Sequence, residues 1–460
     1  MKSQKNKEVT VMKRKGRLCA LILALVLACT GFSACSNGGG ESSTSVPESG
    51  SSALESGGTD ASDEALSIHY LSARGANEGT IQSLQKIADE YQETHPNFNY
   101  EVEIISDRSS YLQKLRILAS SDELPEWFDS DADSFYAELV GKDAVADVGA
   151  LYDELGVADD FYTVAKDYQR LSDGFLGLIS WQANTEYFWY NKTVFEAAGV
   201  TETPKTFDEF FAACDKIKAA GTTPVAMAGG DTWPLLRWAA FVPFRTAGND
   251  FIEKARVGEE SFGSDTGMEA AAFVQKAAGY FQEGWSTADS ATCVNLVTTG
   301  QAAIIYDGTW QLPYFVDENM ELKEDIGYFP LPSVSNKDVT SASDYWAHAG
   351  IGTAVRKDAM TDEMKNYFSF LFGKYADVCM YDFNTVPSMK PTIRDDLSDL
   401  YQEMLDNFGN VNTYAYCWDV RIDAASNEVL GRETPNLALG SITPEEWAAA
   451  LDEAVKQNVG

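Results

Sequence analysis

Short apolar runs along the chain alternate with segments whose apolar residues recur every three or four positions. Residues 66–71 form a short apolar-rich run that reads as a strand. In residues 80–94, Ile81, Leu84, Ile87, Ala88 and Tyr91 share one helical face, the spacing of a helix that buries a single stripe. His95-Pro96-Asn97 ends it, because proline disfavours helix in the residue before it. Residues 100–105 alternate as a second strand, residues 111–120 are helical, and residues 124–129 lead into a third strand. Residues 176–191 (LGLISWQANTEYFWYN) are apolar and strand-like around a polar centre, and Phe195-Glu196-Ala197-Ala198-Gly199 closes a helix on glycine. A clear helix covers residues 206–219, with Thr206 as N-cap, Glu209 completing a capping box, and a stripe of Phe207, Phe210, Phe211, Cys214 and Ile217. Residues 302–306 read as a further strand and residues 364–372 as a further helix, with no internal repeat. Strands alternating with helices predict an α/β architecture with parallel strands.

The N-terminus breaks the pattern. Lys2, Lys5, Lys7, Lys13, Arg14, Lys15 and Arg17 stand against one acid, Glu8, and residues 18–34 (LCALILALVLACTGFSA) carry no charge. A basic head, a short apolar run and small residues make an export signal. The run sits near the minimum for a membrane span, so an uncleaved anchor is the alternative. Phe32-Ser33-Ala34-Cys35 resembles the bacterial lipobox, with Phe32 in place of the usual leucine; Val26-Leu27-Ala28-Cys29 is a poorer rival because Leu27 is bulky. The resemblance implies residues 1–34 as a lipoprotein signal peptide and a lipidated Cys35, whose several acyl chains anchor stably. Residues 36–65 are dominated by Ser, Gly, Glu and Asp without an aromatic residue, a composition expected to stay disordered. As a flexible tether that segment spans roughly 30 Å.

Residues 66–460 have the length of two or three domains. The formal charge is −35 for the whole chain, and the first 34 residues carry seven Lys/Arg against one Glu, which leaves −41 on residues 35–460. That excludes a nucleic-acid partner, because no basic stripe offsets phosphate repulsion. Cys214, Cys293, Cys379 and Cys417 lie far apart with no CxxC pair. Buried free thiols are the expected state, although four cysteines allow three disulfide pairings. His69, His95 and His348 are not spaced as ligand pairs, and there is no GxSxG, Walker loop, HExxH or GxGxxG. Neither a metal nor a cofactor is expected.

Residues 190–227 (YNKTVFEAAGVTETPKTFDEFFAACDKIKAAGTTPVAM) closely resemble family 1 of the extracellular solute-binding proteins, the sugar-binding components of ABC importers. GGDTWP (229–234), TTGQAAIIYDGTW (298–310), GYFPLPSV (327–334) and AGIGTAV (349–355) follow in the family's order, with Asp307 where asparagine is usual. The resemblance implies a two-lobe periplasmic-binding-protein fold, type II-like, whose discontinuous lobes are joined by a hinge crossed three times. The crossings are expected near 182–184, 310–312 and 374–377. Lobe 1 is then 66–183 plus 312–374, and lobe 2 is 184–311 plus 375–460. The ligand would lie between the lobes and favour closure through its differential affinity for the closed form.

A sugar presents C–H faces that suit flat aromatic rings, and hydroxyls that suit planar carboxylates and guanidinium groups. The residues expected to supply these are Trp310 and Asp307 after a strand, Trp181, Asn184 and Glu186 at the first crossing, Trp233 and Asp231 on a Gly-rich loop, Trp346, Arg74 after the first strand, and Asp131, with Asp129 as its rival. Trp418 is a weaker candidate. Simple packing is the competing role for each tryptophan, and solvation for each acid. The expected partners are a carbohydrate, read on family resemblance as a short oligosaccharide, and a membrane permease. The expected setting is a lipid-anchored monomer on the outer face of the cell membrane, on a Gram-positive surface or, behind an outer layer, in the periplasm. A sugar sensor for a signalling membrane protein and a secreted glycosidase are the alternatives; the glycosidase would need two carboxylates about 5–10 Å apart across the sugar.

Overall fold

The computed structural model describes residues 65–334, 336–411 and 413–458. The export signal, Cys35 and the tether as far as residue 64 lie outside the described residues. Ser62–Gly460 forms one compact unit.

Among the described residues ten strands build two sheets. They are β1 (Ser67–Ser72), β2 (Asn99–Ile104), β3 (Trp127–Ser130), β4 (Leu178–Ile179), β5 (Asn184–Asn191), β6 (Thr223–Ala226), β7 (Ala302–Gly308), β8 (Ile326–Phe329), β9 (Ala347–His348) and β10 (Gly352–Val355). The first sheet runs β2-β1-β3-β10-β4. β1, β2 and β3 are parallel, and β10 pairs antiparallel with β3 and β4. Its strands alternate cleanly, as period-two side chains must. Ile68, Tyr70, Trp127, Ile179 and Val355 enter a core on one face, while Leu71, Phe128, Leu178 and Ala354 enter a second core on the other.

The second sheet runs β6-β7-β5-β8, with β9 on the start of β5. Only β6 and β7 are parallel; β5 is antiparallel to β7, β8 and β9. The parallel expectation therefore holds for β1 to β3 and for β6 and β7, and fails at β5 and β10, where the chain returns from the other sheet. The capping box at Thr206 forms, with Glu209 N–H donating to Thr206 Oγ1 at 3.2 Å. Gly199 takes φ +69° after the helix Lys192–Ala197.

The chain leaves the first sheet after Ile179 and enters the second at Asn184. The expected return at 310–312 is displaced. β8 pairs with β5 from Phe188↔Phe329 to Asn191↔Ile326, and Leu312, Phe315 and Trp346 pack in the second core. Residues 312–349 thus belong with the second sheet, and the return falls between Ala349 and Gly352. The physical reason is that β7, β5 and β8 close an antiparallel ladder before the chain can leave. The last crossing is also later than 374–377, since Cys379 and Met389 pack in the first region and Met380 and Val386 in the second. A π-helical turn, Val378–Asp382, marks the change. Such turns often sit at functional bends. All four described cysteines are free and buried.

Candidate functional site

Loops leave the carboxyl ends of the parallel strands β1 and β3 in one sheet and β6 and β7 in the other, the end of a sheet where open α/β folds bind ligands. On the first-sheet side the centre is Asp129. Its Oδ1 accepts from the Tyr70 hydroxyl at 2.7 Å and Thr353 Oγ1 at 2.9 Å, and its Oδ2 accepts from Ser72 Oγ at 2.7 Å and Ala73 N–H at 2.9 Å. Arg74 is buried beside it, with Nε 3.9 Å from Asp129 Oδ2 and Nη2 donating to the Ile351 carbonyl. Asp131 is partly exposed and pairs with Arg108. Asp133 caps the next helix through Tyr136 N–H at 2.9 Å, and burial together with Asp131 pushes its carboxyl up to about 6.

On the second-sheet side two half-buried tryptophans meet. Trp233 opens the helix Trp233–Ala247, and Trp310 lies in the turn Thr309–Gln311 after β7. Their rings sit 5.6 Å apart at 70°. Thr232, just before Trp233, is held at φ +64°, a costly conformation for a β-branched residue that over-determined functional loops tend to carry. Gly308 is required by packing: a Cβ there would stand 1.9 Å from the Trp310 ring.

One serine ties these two loops together. Ser290 N–H donates to Asp231 Oδ2 at 2.9 Å, and Ser290 Oγ donates to Asp307 Oδ2 at 3.0 Å. Gln311 Nε2 donates to Asp307 Oδ2 at 3.0 Å and Ser290 Oγ at 2.8 Å, and Gly308 N–H donates to Asp307 Oδ1 at 2.9 Å. Burial pushes the Asp307 carboxyl up to about 7 against these donors, and it raises Asp231 as well. Both acids therefore brace the tryptophan loops from behind.

Beneath the tryptophans lies a buried charge network. Glu186 is fully buried, and its Oε1 accepts from Arg237 Nε at 3.1 Å and His348 Nε2 at 2.8 Å. Burial opposes its ionisation, but Arg237 and His348 outweigh burial and hold the carboxyl below its usual range. Gly350 N–H donates to His348 Nδ1 at 2.9 Å, so the proton of a neutral ring sits on Nε2 and points at Glu186. Arg237 also donates through Nη1 to Asp419 Oδ1 at 3.0 Å, and its guanidinium lies 5.2 Å from the Trp233 ring centre. His348 stands between Trp310 at 5.7 Å and Tyr168 at 5.3 Å, which completes an aromatic wall. A cavity of about 670 Å³ adjoins Asp419, lined by the helices Arg108–Ser121 and Ala424–Ala438.

The expected residues thus divide. Trp233, Trp310, Asp231, Asp307 and Glu186 come together, with Arg74 and Asp131 on the opposite side. Trp181 and Trp346 do not reach the cleft. Trp181 turns into the first core and donates from Nε1 to Thr353 Oγ1 at 2.7 Å, and Trp346 packs on Phe244 at 5.2 Å and Phe241 at 5.5 Å. Both lie in connecting residues just outside a short strand, β4 or β9, and each ring is held in the core of its own layer by its packing partners. Trp418 is likewise core, against Phe251 and Phe262. Asn184 is buried at the hinge, donating to Gln182 Oε1 at 3.3 Å, and Gln182 in turn donates to Thr80 Oγ1 at 2.9 Å. Sequence reasoning missed Arg237, His348, Tyr168 and Asp419. Arg237 had a signal, because it lies four residues after Trp233 on one helix, the spacing of facing side chains.

Comparison with known proteins places this geometry. Residues 76–373 match the family described as bacterial extracellular solute-binding protein. An uncharacterised ABC transporter extracellular-binding protein of Pyrococcus horikoshii is 22% identical over 97% of this chain and 92% of its own length. The multiple sugar-binding protein of Streptococcus mutans is 21% identical over 74% of this chain and 79% of its own. Among solved structures, a chitin oligosaccharide binding protein superposes with a TM-score of 0.76 at 21% identity, covering 86% of this chain and all of its own. The two sheets, the crossings between them and the match over most of the chain agree: the protein belongs to the bacterial extracellular solute-binding protein family.

Proposed function

We propose that this protein captures a carbohydrate between its two sheets, stacked on Trp233 and Trp310, and delivers it to the permease of an ABC importer. The observation that carries this reading is the paired half-buried tryptophans, braced from behind by Asp231, Ser290 and Asp307. Rigid aromatic faces suit the C–H patches of a sugar ring, and nearby carboxylates and guanidinium groups suit its hydroxyls. Relatives named as sugar-binding proteins in Streptococcus mutans and Mesorhizobium japonicum support the same ligand class. The Mesorhizobium relative is 34% identical over 28% of this chain and 30% of its own.

The protein acts as a monomer tied to the extracellular face of the cell membrane through a lipid on Cys35, on a Gram-positive surface. The basic head, the uncharged run and Phe32-Ser33-Ala34-Cys35 support that placement. Among the described residues no helix is long and apolar enough to cross a membrane. Thermal shifts of Ser62–Gly460 against mono- and oligosaccharides test the capture step. A ligand specific for the folded state at a hundredfold excess over Kd adds about 2.7 kcal/mol of apparent stability. Recovery of the sugar intact is expected; recovery of cleaved sugar would overturn capture in favour of hydrolysis.

A further inference from the structure

We propose that the helices Arg108–Ser121 and Ala424–Ala438 form a clasp: their facing stripes meet when the two sides of the molecule close, pair Arg116 with Glu428 and cover Ile117. The clasp favours the closed form by direct contact between the two protein walls, whatever the ligand is.

The two helices stand on opposite sides of the crossings. Tyr111 and Leu115 root the first in a core of the first sheet, and Leu430 and Leu437 root the second in the core of the second sheet. Gln113, Arg116 and Ile117 share one helical stripe by their spacing of three and four, and Ala424, Asn427 and Glu428 repeat that spacing on the other helix. Both stripes line one cavity of about 670 Å³. Each wall is thus a helix backed by its own core.

The charged residues that line the cavity are Arg116, Asp133, Asp419 and Glu428. Two of them are already engaged: Asp133 accepts from Tyr136 N–H at 2.9 Å, and Asp419 accepts from Arg237 Nη1 at 3.0 Å. Arg116 attracts Asp133 from beyond ion-pair distance and lies 5.9 Å from the Phe135 ring centre. Arg116 and Glu428 make no hydrogen bond or ion pair among the described residues, although they are opposite in charge and stand on opposite walls. Ile117 is 58% exposed while its helix buries Tyr111 and Leu115, and Ile422 and Ala424 line the far side of the same cavity. Charge therefore faces opposite charge, and apolar surface faces apolar surface. An exposed ion pair shifts an equilibrium by up to about fivefold, and covering half of an isoleucine does about the same. The clasp is a bias of that size, small enough for a ligand to decide the final state.

The test is disulfide trapping in Ser62–Gly460 carrying Gln113→Cys and Asn427→Cys, with diamide as oxidant and no ligand added. The four native cysteines of this unit are free and buried, so the parent chain serves as the blank. A disulfide needs Cα atoms within about 7 Å, so it forms only when the stripes meet. The trap is expected to close. Adding Arg116→Glu should slow it about three- to fivefold, and adding Glu428→Arg to that chain should restore the rate to within about twofold. Ile117→Ser should slow it about as much as the single reversal. All three positions are exposed, so the melting curves should stay together. A trap that never closes, or a charge swap no faster than the single reversal, overturns the clasp. The swap is read as a recovered rate, which a poorly folded variant does not give.

Discussion

On the first-sheet side of the cleft the strong polar groups are already spent on one another, whereas on the second-sheet side the large rings stand half-open. Asp129 accepts four hydrogen bonds from its own region and is fully buried. Trp233 and Trp310 keep exposed surface, and the polar groups near them face away and hold their loops. The difference separates two uses of the same residue types. A saturated carboxylate fixes the shape of a strand end; an aromatic ring with a braced back and an open front can receive a ligand. Substitutions on the two sides should therefore separate stability from binding.

The largest effect is expected where both uses meet. Arg237→Ala leaves Glu186 buried with its main counter-charge gone, which should cost about 3–5 kcal/mol in denaturant unfolding and also loosen Trp233. Glu186 paired with a different cation would spare stability, so Arg237→Lys should recover part of the loss in unfolding but less of the ligand affinity, because only a planar guanidinium serves Glu186, Asp419 and the Trp233 face together.

Next comes the pH response of Asp307. Its folded carboxyl titrates near 7, above the value of about 3.9 for an unfolded aspartate. The folded chain therefore holds a proton that the unfolded chain releases, so this contribution to stability is complete below about pH 4 and is lost as pH rises through about 7. Glu186, held low, works in the opposite sense: its contribution is present above the unfolded glutamate value and lost as pH falls. Asp307→Asn removes the first effect alone. Melts from pH 5 to 8 should show the variant gaining on the parent as pH rises, by at most about 3 kcal/mol. A difference independent of pH would contradict the assignment.

On the first-sheet side, Asp129→Ala strands four donors and should cost about 3 kcal/mol in unfolding, with ligand affinity little changed in the molecules that fold. On the other side Trp310→Ala should do the reverse. Affinity should drop about tenfold or more, as at hot-spot aromatics, with less than about 1 kcal/mol of unfolding free energy. The smallest effect belongs to Ser290→Ala, which removes the hydroxyl's two bonds of the brace, to Asp307 and from Gln311, and keeps the backbone bond to Asp231; a loss of about 1 kcal/mol in binding is expected, visible as a few-fold rise in Kd.

Much of the fold was legible because local rules and packing agree. The stripe from Phe207 to Ile217 and the Thr206–Glu209 box both point to one helix, and the helix forms as read. The order of strands and helices before residue 130 follows from periodicity alone. The partition of residues 312–349 was not legible, since β8 pairs with β5 across more than a hundred residues and nothing local records that ladder. Trp181 and Trp346 show the same limit on the scale of a side chain. Being near a crossing in sequence says where the backbone runs; long-range partners such as Thr353 for Trp181 and Phe241 and Phe244 for Trp346 decide where the ring points. His348 illustrates what a search for ligand pairs overlooks, because its partner Glu186 lies 162 residues away.

The most direct test of the account is titration calorimetry of the parent chain, Trp233→Ala and Asp129→Ala with the same carbohydrate, alongside their unfolding curves. The account predicts that Trp233→Ala loses affinity and keeps its stability, while Asp129→Ala loses stability and keeps its affinity. If both substitutions moved affinity and stability together, or if Trp233→Ala bound the sugar as tightly as the parent, the division of labour between the two sides of the cleft would be wrong.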